Sequence, residues 1–176
     1  EGTPGGALWV PDKVSIRENG VEHQSGGFDD GDHAPAYLSL IIDSSGSMEN
    51  SLTEVLDAAR NLIKQFDSND MAEIVDFDSK VISRRSFTDN KDEMQAALSE
   101  ITVGGGTALY DAIAEGLEHL KSKQGMKTVL VLSDGSDQNS TKYNFETLKS
   151  RLGNEGIRVF TIALGSAVDT QTMSSI

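Results

Sequence analysis

The sequence predicts an α/β fold: a doubly wound, mainly parallel central sheet with helices on both faces, preceded by an N-terminal β-hairpin extension. Three observations carry the prediction. Segments beginning at Leu38, Met126 and Ile157 read as apolar strands covered on both faces, as parallel strands are. Between the strand segments lie stretches with apolar residues at helical spacing. Two of the strands end in acidic turns, Asp43-x-Ser45-x-Ser47 and Asp134-Gly135, at the carboxyl ends where open α/β sheets place their ligands.

Composition sets the outer limits. With 176 residues and 37% hydrophobic content, the chain suffices for one domain with a substantial core. The absence of cysteine excludes a disulfide scaffold, a thiolate zinc site and a cysteine nucleophile. A net charge of −13 argues against non-specific nucleic-acid binding and anionic membranes, and suits attraction of cations; a plain solubilising surface is the reading preferred over a charge-specific role. No apolar run is long enough to cross a bilayer. The first residue is Glu and no signal-peptide pattern is present, so the expectation is a piece of a larger multidomain protein.

In chain order, residues 1–35 form the extension. Val14 and Ile16 alternate with polar residues before Asn19-Gly20, a hairpin signal, which places the hairpin across 13–24. A polar Gly/Asp linker follows; its Asp29-Asp30-Gly31-Asp32-His33 reads as a solvated turn, because no Glu follows at calcium-loop spacing. Residues 36–176 form the domain. After the first strand, Ser51-x-x-Glu54 has the capping-box pattern, and Leu52, Val55, Leu56, Ala59, Leu62, Ile63 and Phe66 make one helical face. A strand over 71–77 and another over 80–87 are joined too tightly for a parallel crossover, so this pair is antiparallel. Asn90 caps a short helix. Gly104-Gly105-Gly106 leads through Thr107 into a helix carrying Leu109, Ile113, Leu117 and Leu120. A buried strand over 126–133, a helix over 144–152 with Gly153 as its C-cap, a buried strand over 157–164 and a last turn capped by Asp169 complete the chain.

In a parallel sheet all strand carboxyl ends share one rim. Asp43, Ser45, Ser47, Thr107 and Asp134 therefore meet there, an oxygen-rich set suited to a hard cation such as Mg²⁺, with Mn²⁺ or Ca²⁺ as alternatives. Each residue also has a plainer reading. Ser45, Ser47 and Thr107 can cap helices, Asp43 can accept turn amides, and the glycines can be only a turn; the coincidence of all five on one rim favours the metal. Tyr110, Asp111, Ser136, Asp137 and Asn139 fall near the same rim. His119, late in its helix, reads as solvated or as a partner of the helix dipole.

These motifs resemble those of the von Willebrand factor type A domain. The metal-ion-dependent adhesion site of that family has an Asp-x-Ser-x-Ser motif, a later Thr and a later strand-end Asp; Asp43, Ser45, Ser47, Thr107 and Asp134 match it. Gly46, Met48, the Gly-Gly-Thr-Ala-Leu-Tyr-Asp-Ala run from Gly105 and Leu132-Ser133-Asp134-Gly135 match as well. The resemblance covers residues 36–176 and implies a Rossmann-like fold with a metal position open to a carboxylate from a partner. It further implies use as an extracellular, cell-surface or periplasmic adhesion module whose partner is a protein, a glycan or a matrix component. The family usually continues past the position of Ile176, so the resemblance implies a domain without its last strand.

Three functions compete. The first is a divalent-cation-dependent recognition module. The second is a structural or assembly domain that docks through its sheet edge or hairpin, the metal being incidental. The third, a metal-dependent hydrolase, lacks a general base: no His and no spare Glu lies in the motif segments, and there is no Ser-His-Asp arrangement. Gly104 to Gly106 has neither the spacing nor the lysine of a phosphate loop, and no dinucleotide fingerprint follows the first strand. The expectation is a non-enzyme with no direct membrane insertion.

Overall fold

The computed structural model describes residues 15–18, 21–24, 35–152, 156–164 and 168–176. The chain divides into two units, 1–34 and 35–176. In the first, β1 (Ser15–Glu18) and β2 (Val21–Gln24) pair antiparallel, with Ser15 opposite Gln24 and Glu18 opposite Val21. The hairpin strands form as expected; Asn19-Gly20 and the Asp29-to-His33 segment lie outside the described residues.

The second unit runs β3 (Ala36–Asp43), α1 (Leu52–Lys64), β4 (Met71–Phe77), β5 (Val81–Thr88), α2 (Lys91–Ser99), α3 (Leu109–Leu120), β6 (Met126–Ser133), α4 (Phe145–Lys149), β7 (Ile157–Ala163) and α5 (Thr170–Ser175). The sheet order is β5-β4-β3-β6-β7, and only β5 is antiparallel to its neighbour. β3 is central: Leu40 pairs with Ile74 of β4 on one side and Leu130 of β6 on the other.

Alternation along the strands fills two cores. Leu40, Ile42, Ala72 and Ile74 pack with Val55, Ile63, Met94 and Leu98 of α1 and α2. Ile41, Val75, Phe77, Val129 and Val131 pack on the opposite face with Leu109, Ile113 and Leu117 of α3 and Leu148 of α4. Each such large side chain stabilises the fold by about 1.5–3 kcal/mol relative to exposure.

This layering determines where a ligand can sit. The chain leaves β3 for β4 through α1 on one face, then reaches β6 through α3 on the other. The carboxyl ends of β3 and β6 therefore face a crevice that neither connection covers, the switch point of an open α/β sheet.

Three expectations are corrected. Ser51 precedes α1 but makes no side-chain cap bond, so the capping box does not form; its αR backbone (φ −109°, ψ −17°) departs from the extended shape that lets a cap hydroxyl reach the first turn. α4 ends at Lys149, earlier than expected: Arg151 and Leu152 both donate to the Leu148 carbonyl as the helix unwinds into turns, and Gly153 lies outside the described residues. β7 is not buried on both faces. It is the outermost strand, and Phe160 and Ile162 remain 54% and 46% exposed on the α1 side, where no described helix reaches them.

Candidate functional site

The first acidic turn begins where β3 runs out of partners. Ser44 extends the sheet by donating its N–H to the Phe77 carbonyl at 2.9 Å. The chain then tightens into a 3₁₀ turn, Gly46–Met48, anchored by the fully buried Met48. Asp43 is wholly buried beneath this turn. Its Oδ1 accepts the Ser45 N–H at 2.9 Å and its Oδ2 accepts the Ser133 hydroxyl at 2.6 Å. Burial pushes the Asp43 carboxyl above its usual range, the donors from Ser133 and Ser45 oppose the shift, and the charge of Asp134 adds to it.

The loop that carries Thr107 is stitched to this turn through the backbone. Gly104 N–H donates to Ser44 O at 2.7 Å, and Gly46 N–H to Gly105 O at 3.0 Å. The β4–β5 turn supports the same loop: the Asp78 carboxylate accepts Gly105 N–H, and Ser79 Oγ accepts Gly106 N–H. Thr107, 3% exposed, donates its N–H to Asn139 Oδ1 and accepts Gln138 and Asn139 N–H on its carbonyl, each at 2.9 Å. A Cβ at Gly106 would overlap the Asn139 side chain, so only glycine permits this approach. Asp134 follows Ser133 at the end of β6 and is 4% exposed; its Oδ1 accepts Ser136 N–H, and its carbonyl accepts Asp169 N–H at 2.7 Å. Gly135 has φ +93°, and a Cβ there would press on the Asp169 carbonyl.

All five expected residues thus lie on one rim. Asp43, Ser45, Thr107 and Asp134 are buried, while Ser47 and Gly46 are exposed and open the site to solvent. The plainer readings fare differently. Asp43 does accept a turn amide, but Ser45 makes no cap bond to the 3₁₀ turn, and α3 is capped at Ala108 rather than Thr107. Instead Ser45 Oγ and Ser47 Oγ lie 3.1 Å apart. That is hydrogen-bond distance, so the two hydroxyl oxygens stand side by side at the turn, and both are groups that could ligate a hard cation. Among the described residues no three His, Cys, Asp or Glu side chains form a metal cluster. A centre here would rest on hydroxyls with only two carboxylates.

The residues flanking the five have structural work that the motif spacing did not reveal. Asp111 turns back from α3 and accepts the N–H groups of Thr141, Lys142 and Tyr143 at 2.8–3.3 Å. In return Asp137 and Ser140 accept the Tyr110 and Asp111 N–H groups at the start of α3. This reciprocal capping clamps the loop after Asp134 onto the helix after Thr107. Nearby Ser44, Asp76 and Arg84 form a largely buried chain that sequence reasoning missed, since Ser44 follows β3 while Asp76 and Arg84 belong to β4 and β5. His119 is also corrected: its Nδ1 lies 2.7 Å from Oε2 of the buried Glu73, because α3 crosses β4 at that point.

The family model of the von Willebrand factor type A domain matches residues 38–176. No curated protein matches the chain. Among solved structures it is similar to a von Willebrand factor type A protein from Catenulispora acidiphila, at 16% identity and TM-score 0.70, over 81% of this chain and 36% of that one. It is similar to the manganese-loaded TRAP protein of Plasmodium vivax, at 20% identity and TM-score 0.64, over 79% and 61%. It is similar to the N-terminal domains of the type V pili tip protein Mfa5 from Porphyromonas gingivalis, at 17% identity and TM-score 0.56, over 62% and 22%. At these identities the likeness is one of fold, and this chain spans less than two-thirds of each of those chains. The family model covers most of the sequence, with its strands, its helices and its rim motifs in order: the chain belongs to the von Willebrand factor type A domain family.

Proposed function

We propose that the chain is a divalent-cation-dependent recognition module that binds an acidic group of a protein partner. The family is often used for protein–protein adhesion or assembly. Asp43, Ser45, Ser47, Thr107 and Asp134 would hold the cation, Mg²⁺ first, with Mn²⁺ or Ca²⁺ as alternatives. When bound, the cation supplies a Lewis-acidic position for an incoming carboxylate. The chain's own residues do the rest. Neutral serine and threonine hydroxyls leave most of the cation's charge uncancelled, and the two carboxylates balance the remainder. The exposed Ser47 and Gly46 leave the approach open. The observation that carries the reading is the 3.1 Å pair of serine oxygens beside two carboxylates at the switch point, with neither serine used as a helix cap.

Manganese in the TRAP structure and the pilus-tip setting of Mfa5 support a cation and an extracellular or cell-surface use. Among the described residues no helix is long and apolar enough to cross a membrane. Calorimetric titration with Mg²⁺ and Mn²⁺ beside Asp134→Ala tests the reading. Saturable binding that the variant loses supports it; equal behaviour of the two proteins overturns it.

One observation favours a second reading, an assembly domain that docks through its sheet edge: Phe160 and Ile162 lie exposed on the outermost strand. Association with a partner that survives chelation and is lost in Phe160→Lys selects that reading over the first.

A further inference from the structure

Beneath the candidate site lies a charged group that the five-residue set does not use. Asp76 of β4 is 1% exposed, and its carboxylate is gripped by the fork of Arg84 from β5, with Nε donating at 2.6 Å and Nη2 at 3.1 Å. The Arg84 side chain is itself only 21% exposed. Stability alone is a poor reason for such a pair, because an apolar replacement of equal volume often serves a core as well or better. A buried fork does fix the orientation of the carboxylate it holds.

That orientation is passed to one residue. Asp76 Oδ2 lies 3.1 Å from the hydroxyl of Ser44, which donates either to it or to the Phe77 carbonyl at the same distance. Ser44 is 2% exposed and stands between Asp43 and Ser45. Its N–H continues the β3–β4 ladder, and its carbonyl accepts Gly104 N–H at the head of the loop that carries Thr107. The backbone at Ser44 therefore sets the positions of Asp43, Ser45 and the Thr107 loop together.

We propose that Arg84 and Asp76, acting through the Ser44 hydroxyl, are positioning residues that hold the Asp43 turn and the Thr107 loop in cation-binding geometry. The inference rests on the metal reading above. Partners of this kind, one step removed from the ligands, typically change metal affinity by about ten- to a hundred-fold when removed.

The test uses the full chain and its Ser44→Ala, Ser44→Thr and Asp134→Ala variants, with two readouts: Mn²⁺ affinity by calorimetry, and amide hydrogen exchange at Gly46 and Gly104 in metal-free protein. The expected result is about tenfold weaker Mn²⁺ binding in Ser44→Ala, faster exchange at both glycines, and recovery of most of the loss in Ser44→Thr. Wild-type affinity in Ser44→Ala overturns the proposal, and so does a loss that Thr does not restore, since that traces to repacking rather than to the hydroxyl. If wild type and Asp134→Ala bind Mn²⁺ alike, the metal reading falls. Amide exchange then decides separately whether the Ser44 hydroxyl holds the two loops, and unchanged exchange rejects that claim too.

Discussion

Asp43 and Glu73 occupy the same face of the sheet on neighbouring strands, one at the carboxyl end of β3 and the other near the start of β4. Glu73 is in register with Ser39, so four residues of strand, about 13 Å, separate the two levels. Burial is the largest cause raising both carboxyls above their usual range. Their neighbours differ. Asp43 has a donor on each oxygen and a serine pair beyond it, under a turn that opens to solvent. Glu73 has His119 Nδ1 on Oε2, with Glu115 adding like charge; Ser39 lies beside it without hydrogen-bond geometry, and Oε1 has no partner among the described residues. Burial alone therefore does not separate the two carboxylates. Surrounding hydroxyls, whose lone pairs can turn toward a cation, distinguish the first carboxylate, while a single imidazole nitrogen at 2.7 Å distinguishes the second.

The largest expected effect breaks the comparison if it fails. Asp43→Ala should weaken Mn²⁺ binding at least about a hundredfold, as expected for a lost ligand, while Glu73→Gln should stay within about twofold of wild type. Parallel calorimetric titrations check both; equal losses would mean that the two carboxyls belong to one coupled system.

Next in size is Asp111→Ala. It leaves three loop N–H groups without their carboxylate and frees the loop that follows Asp134. Hydrogen bonds to a charged group contribute about 1.5–3 kcal/mol each and some amides will find water, so a loss of about 3 kcal/mol in urea unfolding is expected. A change below about 1 kcal/mol would show that the hold of the loop after Asp134 on α3 does not depend on Asp111.

The smallest effect sharpens the Glu73 side. Its carboxyl titrates above the ordinary value of 4.5 in the folded chain. Its contribution to stability is thus fully present below that value and is lost as pH rises through the folded one. Glu73→Gln lacks this dependence, so its urea midpoint should gain on wild type over the range of pH above that ordinary value. A constant difference across that range would place the proton elsewhere. The groups facing Glu73 are Ser39 from β3 and Glu115 and His119 from α3.

Much of the fold is legible in the order of residues along the chain. The apolar runs in β3 and β6, the short β4–β5 connection and the helical spacing of α1 and α3 all reflect local constraints: side-chain period, turn length and burial on both faces. The motif spacing brings five residues to one rim because strand ends in a parallel sheet must share it. Ser51 and the end of α4 mislead because a capping pattern states what a side chain can reach, while the neighbouring backbone decides whether it does. β7 misleads because an apolar strand looks the same whether it is central or outermost; its place in the sheet is a matter of order, which no single segment encodes.

Patterns within about ten neighbouring positions suffice for the element order, the mainly parallel sheet and the identity of the rim residues. Packing decides the rest. It set Asp76 under Ser44, looped Asp111 around the segment after Asp134, and faced His119 to Glu73, pairs that are 30 to 46 residues apart in sequence. These contacts depend on which strands are neighbours and on where α3 crosses the sheet, quantities that exist only once the chain has folded.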